Sequence, residues 1–126
     1  MTVFPKSNRL LAKPQFNAVL EDGLKVVCKD FVLIASVAIQ PDRLNTRLGL
    51  IVSRKVGDSV QRNRVKRCVR EVFRAGVSEV LLGRDLVVIA RPSLNSGDGK
   101  IHRDVAESFS KCLARLTRTL KTPKKD

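Results

Sequence analysis

The spacing of apolar residues changes period several times along the chain, and each change marks an element. Between Val60 and Phe73 the period is helical: Val65, Cys68, Val69, Val72 and Phe73 fall at i, i+3, i+4, i+7 and i+8. At about 100° per residue, Asn63, Arg67, Arg70 and Arg74 then gather on the opposite side, with Arg64 and Lys66 flanking the stripe. Just before this helix, Thr46 to Arg54 alternates as a strand does, with Leu48, Leu50 and Val52 on one side and Arg47, Ile51 and Ser53 on the other. Two nearly continuous apolar runs, Phe31 to Ile39 and Asp85 to Ala90, read as buried strands, and Lys25 to Cys28 as a short one. Near the start, Phe16, Val19 and Leu20 form a short helical face between Pro14 and Gly23, residues suited to a helix start and end. A second long helix is predicted over His102 to Leu116, with Val105, Phe109, Cys112, Leu113 and Leu116 inward.

The punctuation between these elements is polar and glycine-rich. Gly57 supplies a turn. Asp58 is a plausible N-cap, with Gln61 three residues on as in a capping box and Ser59 as the rival cap. The basic helix ends near Gly76. Val77 to Leu82 is ambiguous between coil and a short helical turn. Pro41 to Asn45, the turn from Gly83, and Pro92 to Lys100 complete the connections. Met1 to Lys13 reads as basic and irregular. The tail from Thr117 to Asp126 reads as frayed, with about 119–126 disordered. No repeat and no linker divides the 126 residues, so one domain is expected over 1–126. Strand, helix, strand in succession predicts parallel pairing across the basic helix, which the general rule would make a right-handed crossover.

Charge changes the picture most at that helix. Ser53 to Arg74 carries eight cations (Arg54, Lys55, Arg62, Arg64, Lys66, Arg67, Arg70 and Arg74) against Asp58 and Glu71, in a chain of net charge +13. A solvated helix face usually mixes signs to gain i,i+4 pairs. Cations crowded this way repel one another until an anion sits among them. Arginine's planar fork suits phosphate in particular. A sequence pI of about 10.6 points to nucleic acid ahead of an anionic membrane surface. No run of about 18 apolar residues is present to span a bilayer, and the N-terminal residues lack the apolar core of a secretion signal; a cytoplasmic location is expected.

Reactive constellations are missing. His102 stands alone, the acids are scattered with no pair suited to Mg²⁺, and Gly57 and Gly76 make no phosphate-cradling loop. The three cysteines, Cys28, Cys68 and Cys112, form no CxxC pair, which argues against zinc. Cys68 reads as a small buried hydrophobe, and all three as free thiols of a reducing compartment. If the protein takes part in catalysis, the reacting groups are expected from a partner. A non-catalytic RNA-binding module, such as a ribosome-associated protein, would show the same basic helix. A self-sufficient nuclease fits poorly without clustered carboxylates or histidines.

The run RNRVKRCVREVFR, preceded by SRKVGDSVQ, resembles the RNR signature of the bacterial ribonuclease P protein component. RLLAKPQFNAVLEDG is similar to that family's first helix, FVLIASV to its central strand, RLGLIVSRKVG to the strand leading into the signature, and DLVVIARP to its last strand, so the likeness covers about Arg9 to Leu116. The resemblance implies an α/β (α+β-like) single domain. It would have a four-stranded mixed sheet, about three helices and a left-handed βαβ crossover, like the second domain of ribosomal protein S5. It implies the protein subunit of a ribonucleoprotein endonuclease that removes the 5′ leader of precursor tRNA. The catalytic groups and the Mg²⁺ would be held by the RNA subunit, and the protein itself would have no catalytic residue and no metal site. The partners implied are ribonuclease P RNA, with one protein per RNA subunit, and precursor tRNA; no membrane is implied. Arg54, Lys55, Arg62, Asn63, Arg64, Lys66, Arg67 and Arg70 correspond to its RNA-binding positions. Phe16, Ile34, Arg9 and Arg91 correspond to a cleft for the single-stranded leader. Members often carry a second aromatic where this chain has Leu20, and a tyrosine where it has Ile34. With no Tyr or Trp in the chain, leader contact is expected to lean on van der Waals packing and phosphate charge.

Overall fold

Strand β4 (Asp85–Ala90) is covered on both faces, Leu86, Val88 and Ala90 in one apolar cluster and Val87 in another, and its apolar run is nearly continuous for that reason. The computed structural model describes residues 13–37, 46–75, 79–95, 97, 101 and 104–121. With β1 (Leu24–Val27), β2 (Phe31–Ala35) and β3 (Arg47–Val52), β4 forms a four-stranded sheet in the order β1-β2-β4-β3. β1–β2 and β2–β4 pair antiparallel, while β3 and β4 pair parallel, Arg47 opposite Asp85 through Val52 opposite Ala90. Parallel neighbours need a crossover. Helix α2 (Ser59–Ala75), the basic helix, lies in that connection.

The two faces of the sheet carry two apolar clusters. Phe31, Leu33, Ala35, Leu48, Leu86, Val88 and Ala90 point to the side where α2 and α3 (Val105–Lys121) pack. Val65, Val69 and Phe73 of α2 are buried there, and so are all five residues predicted for the inner face of α3. The rings of Phe31 and Phe109 meet edge to face at 5.5 Å between centroids. On the other side, α1 (Lys13–Asp22) buries Val19 against Ile34 and Val87, with Phe16, Val32 and Ile89 packed around them. Leu20, expected on the inner face of α1, is exposed.

Several boundaries differ from the sequence reading for identifiable reasons. β2 stops at Ala35 rather than running to residue 39, because the carbonyls of Ser36 and Val37 both accept from Arg84 Nη1 at 2.8 Å. Arg84, whose Nε donates to the Val80 carbonyl, is thereby almost wholly buried. Arg47 meets Asp85 through two 2.8 Å bonds, which pins the start of the parallel pair. The turn before α2 closes from Val56 N–H to the Ser53 carbonyl, so Gly57 follows the turn rather than making it. Asp58 caps α2 through the Gln61 N–H at 2.9 Å. Gln61 returns no capping-box bond; its Oε1 accepts from the Ile101 N–H. Val77 to Leu82 contains a 3-10 turn, Glu79–Leu81, tied down by Thr46 Oγ1 donating to the Leu81 carbonyl at 2.7 Å, and Gly83 follows at φ 78°. Asp104 caps α3 through the Glu107 N–H. That helix continues through Lys121, past the point where fraying was expected, with Leu120 packed on the core. His102 and residues 122–126 lie outside the described residues.

The cysteines also differ from expectation. Cys28, just after β1, and Cys112, on α3, are joined as a disulfide, while Cys68 is free and half-buried beside the main core. No spacing pattern could have shown this, since 84 residues separate the pair and only the docking of α3 on the sheet brings them together.

Gly23 ends α1, and space is the reason for a glycine there. A Cβ at this position would stand 2.5 Å from Ile34 Cγ2, 2.5 Å from the Val19 carbonyl oxygen and 2.9 Å from that of Ala35. Two of those three atoms are backbone and cannot swing away. Gly23→Ala is therefore expected to lower stability by about 2–3 kcal/mol, as overpacked sites do. A denaturant melt superimposable on that of the unsubstituted chain would show that α1 does not approach β2 this closely.

Candidate nucleic-acid interface

The cations of the chain sort into different environments. Arg54 and Lys55 stand exposed on the turn between β3 and α2, which is anchored by the fully buried Val56. On α2 the apolar stripe faces the core, so Asn63, Arg64 and Arg67 project outward and are exposed. Among the described residues neither Arg64 nor Arg67 has an ion-pair partner. Lys66 and Arg70 lie half-buried at the margins of the ridge. Arg62 falls three residues before Val65 and seven before Val69, in line with the stripe, and is half-buried. Its Nε is enclosed without a hydrogen-bond acceptor. Seven of the eight predicted RNA-binding residues thus lie along one tract, most open at Arg54, Lys55, Asn63, Arg64 and Arg67, while Arg62 falls in line with the core stripe.

The opposite face of the sheet carries a second feature. Strand register places Val27, Val32, Ile89 and Ile51 side by side in one row across all four strands. At about 4.8 Å per strand this row spans about 14 Å. The neighbouring row, Lys25, Ile34, Val87 and Gly49, has α1 packed over its centre. The outer row is only partly covered: Val27 is 48% and Ile51 37% exposed. Phe16, half-buried, packs at the junction of α1 with this band. Together they make a shallow apolar shelf.

The predicted cleft residues fare unequally. Phe16 borders the shelf. Ile34 is only 4% exposed, buried beneath α1 against Val19 and Val87, so it supports the shelf rather than forming its surface. Arg91, directly after β4, donates from Nη1 to the Cys28 carbonyl at 2.7 Å and from its backbone N–H to the Asp30 carbonyl at 2.8 Å. Arg9 lies outside the described residues. Val27, Val32, Ile51 and Ile89 were not singled out from sequence. Only Ile51 carried a signal, because it alternates with the core positions of β3. In β2 and β4 both faces are apolar, and in β1 the outer face is divided between Lys25 and Val27, so the row exists only once the register is known.

No group of three or more His, Cys, Asp or Glu is placed to hold a metal ion among the described residues. No helix there is long and apolar enough to cross a membrane.

Comparison with known proteins bears on the family and the fold. The family model for ribonuclease P matches residues 4–117. A ribonuclease P protein component of Desulforapulum autotrophicum is 33% identical over 116 residues, 92% of this chain and 94% of that one. One from Stutzerimonas stutzeri is 39% identical over 91% of this chain and 84% of that one. Among solved structures, a Staphylococcus aureus RNase P protein mutant superposes with a TM-score of 0.74 at 28% identity, covering 89% of this chain and 90% of its own. The Thermotoga maritima RNase P protein gives 0.63 at 28% identity, covering 93% and 98%. With its signature cations along one tract of a matching fold, the chain belongs to the family of bacterial ribonuclease P protein components.

Proposed function

We propose that this subunit of an endoribonuclease docks its α2 tract on the ribonuclease P RNA and lays the 5′ leader of precursor tRNA along the apolar shelf. The observation that carries the reading is the exposed charge of Arg64 and Arg67, unmatched among the described residues, beside the turn bearing Arg54 and Lys55. That turn joins the two surfaces. Ile51, at one end of the shelf, is three residues from Arg54, so a strand crossing the shelf toward β3 arrives at the cations that begin the RNA tract.

Each side chain then has a physical task. The tract lowers the mutual repulsion of phosphates where two RNA molecules converge, and displaces their condensed counterions. The shelf offers apolar contact to unstacked bases without hydrogen-bonding their edges, so it holds a leader without reading its sequence. The chemistry of hydrolysis belongs on this reading to the RNA subunit, with magnesium held there to stabilise developing charge. The protein contributes positioning, as one copy per RNA in the cytoplasm. Leader removal by the cognate RNA at low magnesium tests the whole: added protein is expected to accelerate it, while protein alone leaves precursor tRNA intact. Cleavage by protein alone would overturn the division of labour.

Two outcomes follow. If about five cations reach phosphate, log K for the RNA subunit should fall against log salt with a slope of roughly −3.5 to −4.5. Arg64→Ala or Arg67→Ala should each flatten it by about 0.7–0.9 while leaving the melting temperature within a degree or two, since both side chains point away from the core. An unchanged slope would remove these arginines from the interface. On the shelf, Ile51→Ser and Phe16→Ala should weaken precursor tRNA binding by about threefold to tenfold, the worth of one lost apolar contact. Mature tRNA binding should stay unchanged; equal loss for both RNAs would show that the shelf does not hold the leader.

A further inference from the structure

On the α3 side of the sheet, away from the shelf, a pocket of about 590 Å³ opens between the β1–β2 turn and α3. Its wall includes Cys28, Lys29, Asp30, Lys111, Cys112 and Arg115. We propose that the Cys28–Cys112 disulfide in this wall is a reversible exchange site for low-molecular-weight thiols, and that its state sets how firmly the β1–β2 turn is fastened to α3.

Placement supports exchange in both directions. The two Cα atoms are 6.0 Å apart, within the usual span for a disulfide. The core fixes that separation: Val26 and Phe31 flank Cys28, and Phe109 and Leu113 flank Cys112, all four buried. Reduction therefore leaves the two sulfurs facing each other, ready to pair again. Access is one-sided. Cys112 is 1% exposed, whereas Cys28 is half-buried at the pocket wall and is the more open of the two, so an incoming thiolate is directed to the Cys28 sulfur. Attack there forms a mixed disulfide on Cys28 and releases Cys112 as the thiolate, which takes a proton. A second thiolate attacks the outer sulfur of the mixed disulfide, releasing Cys28. In balance, two small thiols are oxidised to their disulfide and the protein disulfide is reduced to two thiols. The reverse reaction consumes a small disulfide.

The consequence falls on a turn that other groups already hold. The Asp30 carboxylate accepts from Ser108 Oγ of α3 at 2.8 Å and lies 2.9 Å from Ser93 Oγ. Arg115 Nη1 donates to the Val27 carbonyl at 3.0 Å, and Arg91 to that of Cys28. Reduction removes the covalent tie and leaves these bonds, so the turn stays docked but opens more often, within a fold that persists.

The test uses the full chain in buffers of graded glutathione to glutathione disulfide ratio. After alkylation and mass measurement, one adduct (at Cys68) is expected in oxidising buffer and three in reducing buffer, with unchanged circular dichroism. Amide exchange across residues 27–30 should quicken by about tenfold on reduction while β4 is unaffected. Cys112→Ser should match the reduced protein, and Cys68→Ser, which keeps the pair, should go from none to two adducts. Three adducts in every buffer, a pair reduced only after unfolding, or equal exchange at 27–30 in both states would overturn the proposal. Should Cys112→Ser fail to fold, reduction of the unsubstituted chain supplies the same comparison. None of these readouts involves RNA, so they stand or fall separately from the proposed leader shelf.

Discussion

The parallel pairing of β3 with β4 constrains everything else in this molecule. Two parallel neighbours cannot be joined by a tight turn, so the chain must leave the sheet and return. The segment that does so is α2, and it has to bury a stripe to lie on the sheet at all. A helix pinned along Val65, Val69 and Phe73 holds its opposite side at a fixed angle to solvent. The cations of that side are therefore presented as a rigid row. The Arg47–Asp85 pair, at the first rung of the ladder, secures the register on which this depends.

The same constraint explains why one strongly basic composition yields cations with different tasks. Arg84 is spent on three carbonyls, two of which close the end of β2, and Arg47 on a single carboxylate. Neither is offered to a partner. Arg64 and Arg67 make no such bonds among the described residues, and their side chains face solvent. Net charge counts all four equally. Only the positions of carbonyl and carboxylate acceptors separate structural from outward-facing cations, and those positions are set by the fold.

Where periodicity had one physical cause, the sequence was legible. The stripe of α2, the inner face of α3 and the run of β4 each follow from burial on a definite side, and each was read correctly. Boundaries were less legible because they depend on distant partners: β2 ends where Arg84, almost fifty residues away, takes its carbonyls. The site divided along the same line. Its proposed arginine tract is local in sequence, so the exposure of Arg64 and Arg67 follows from the helical period alone. Its shelf is assembled from four strands by register and was missed, and Ile34 was placed on a surface that α1 in fact covers. The Cys28–Cys112 bond was missed for the same reason, being a contact between elements rather than a pattern within one.

The chemistry of the shelf bears on what kind of selectivity this subunit can contribute. Valine and isoleucine present methyl groups, with neither the donors and acceptors that read a base edge nor a ring face on which one base stacks better than another. On the proposed reading, leaders of differing sequence would lie there at similar cost, and Phe16 alone would add a modest stacking preference at one end. On the same reading, a subunit that accepts many precursors would gain from such indifference. Discrimination between precursor and mature tRNA then needs no sequence signal, because only a precursor has a strand to lay across the sheet. The absence of tyrosine and tryptophan from the chain weakens each contact but leaves that criterion, the presence or absence of a leader, intact.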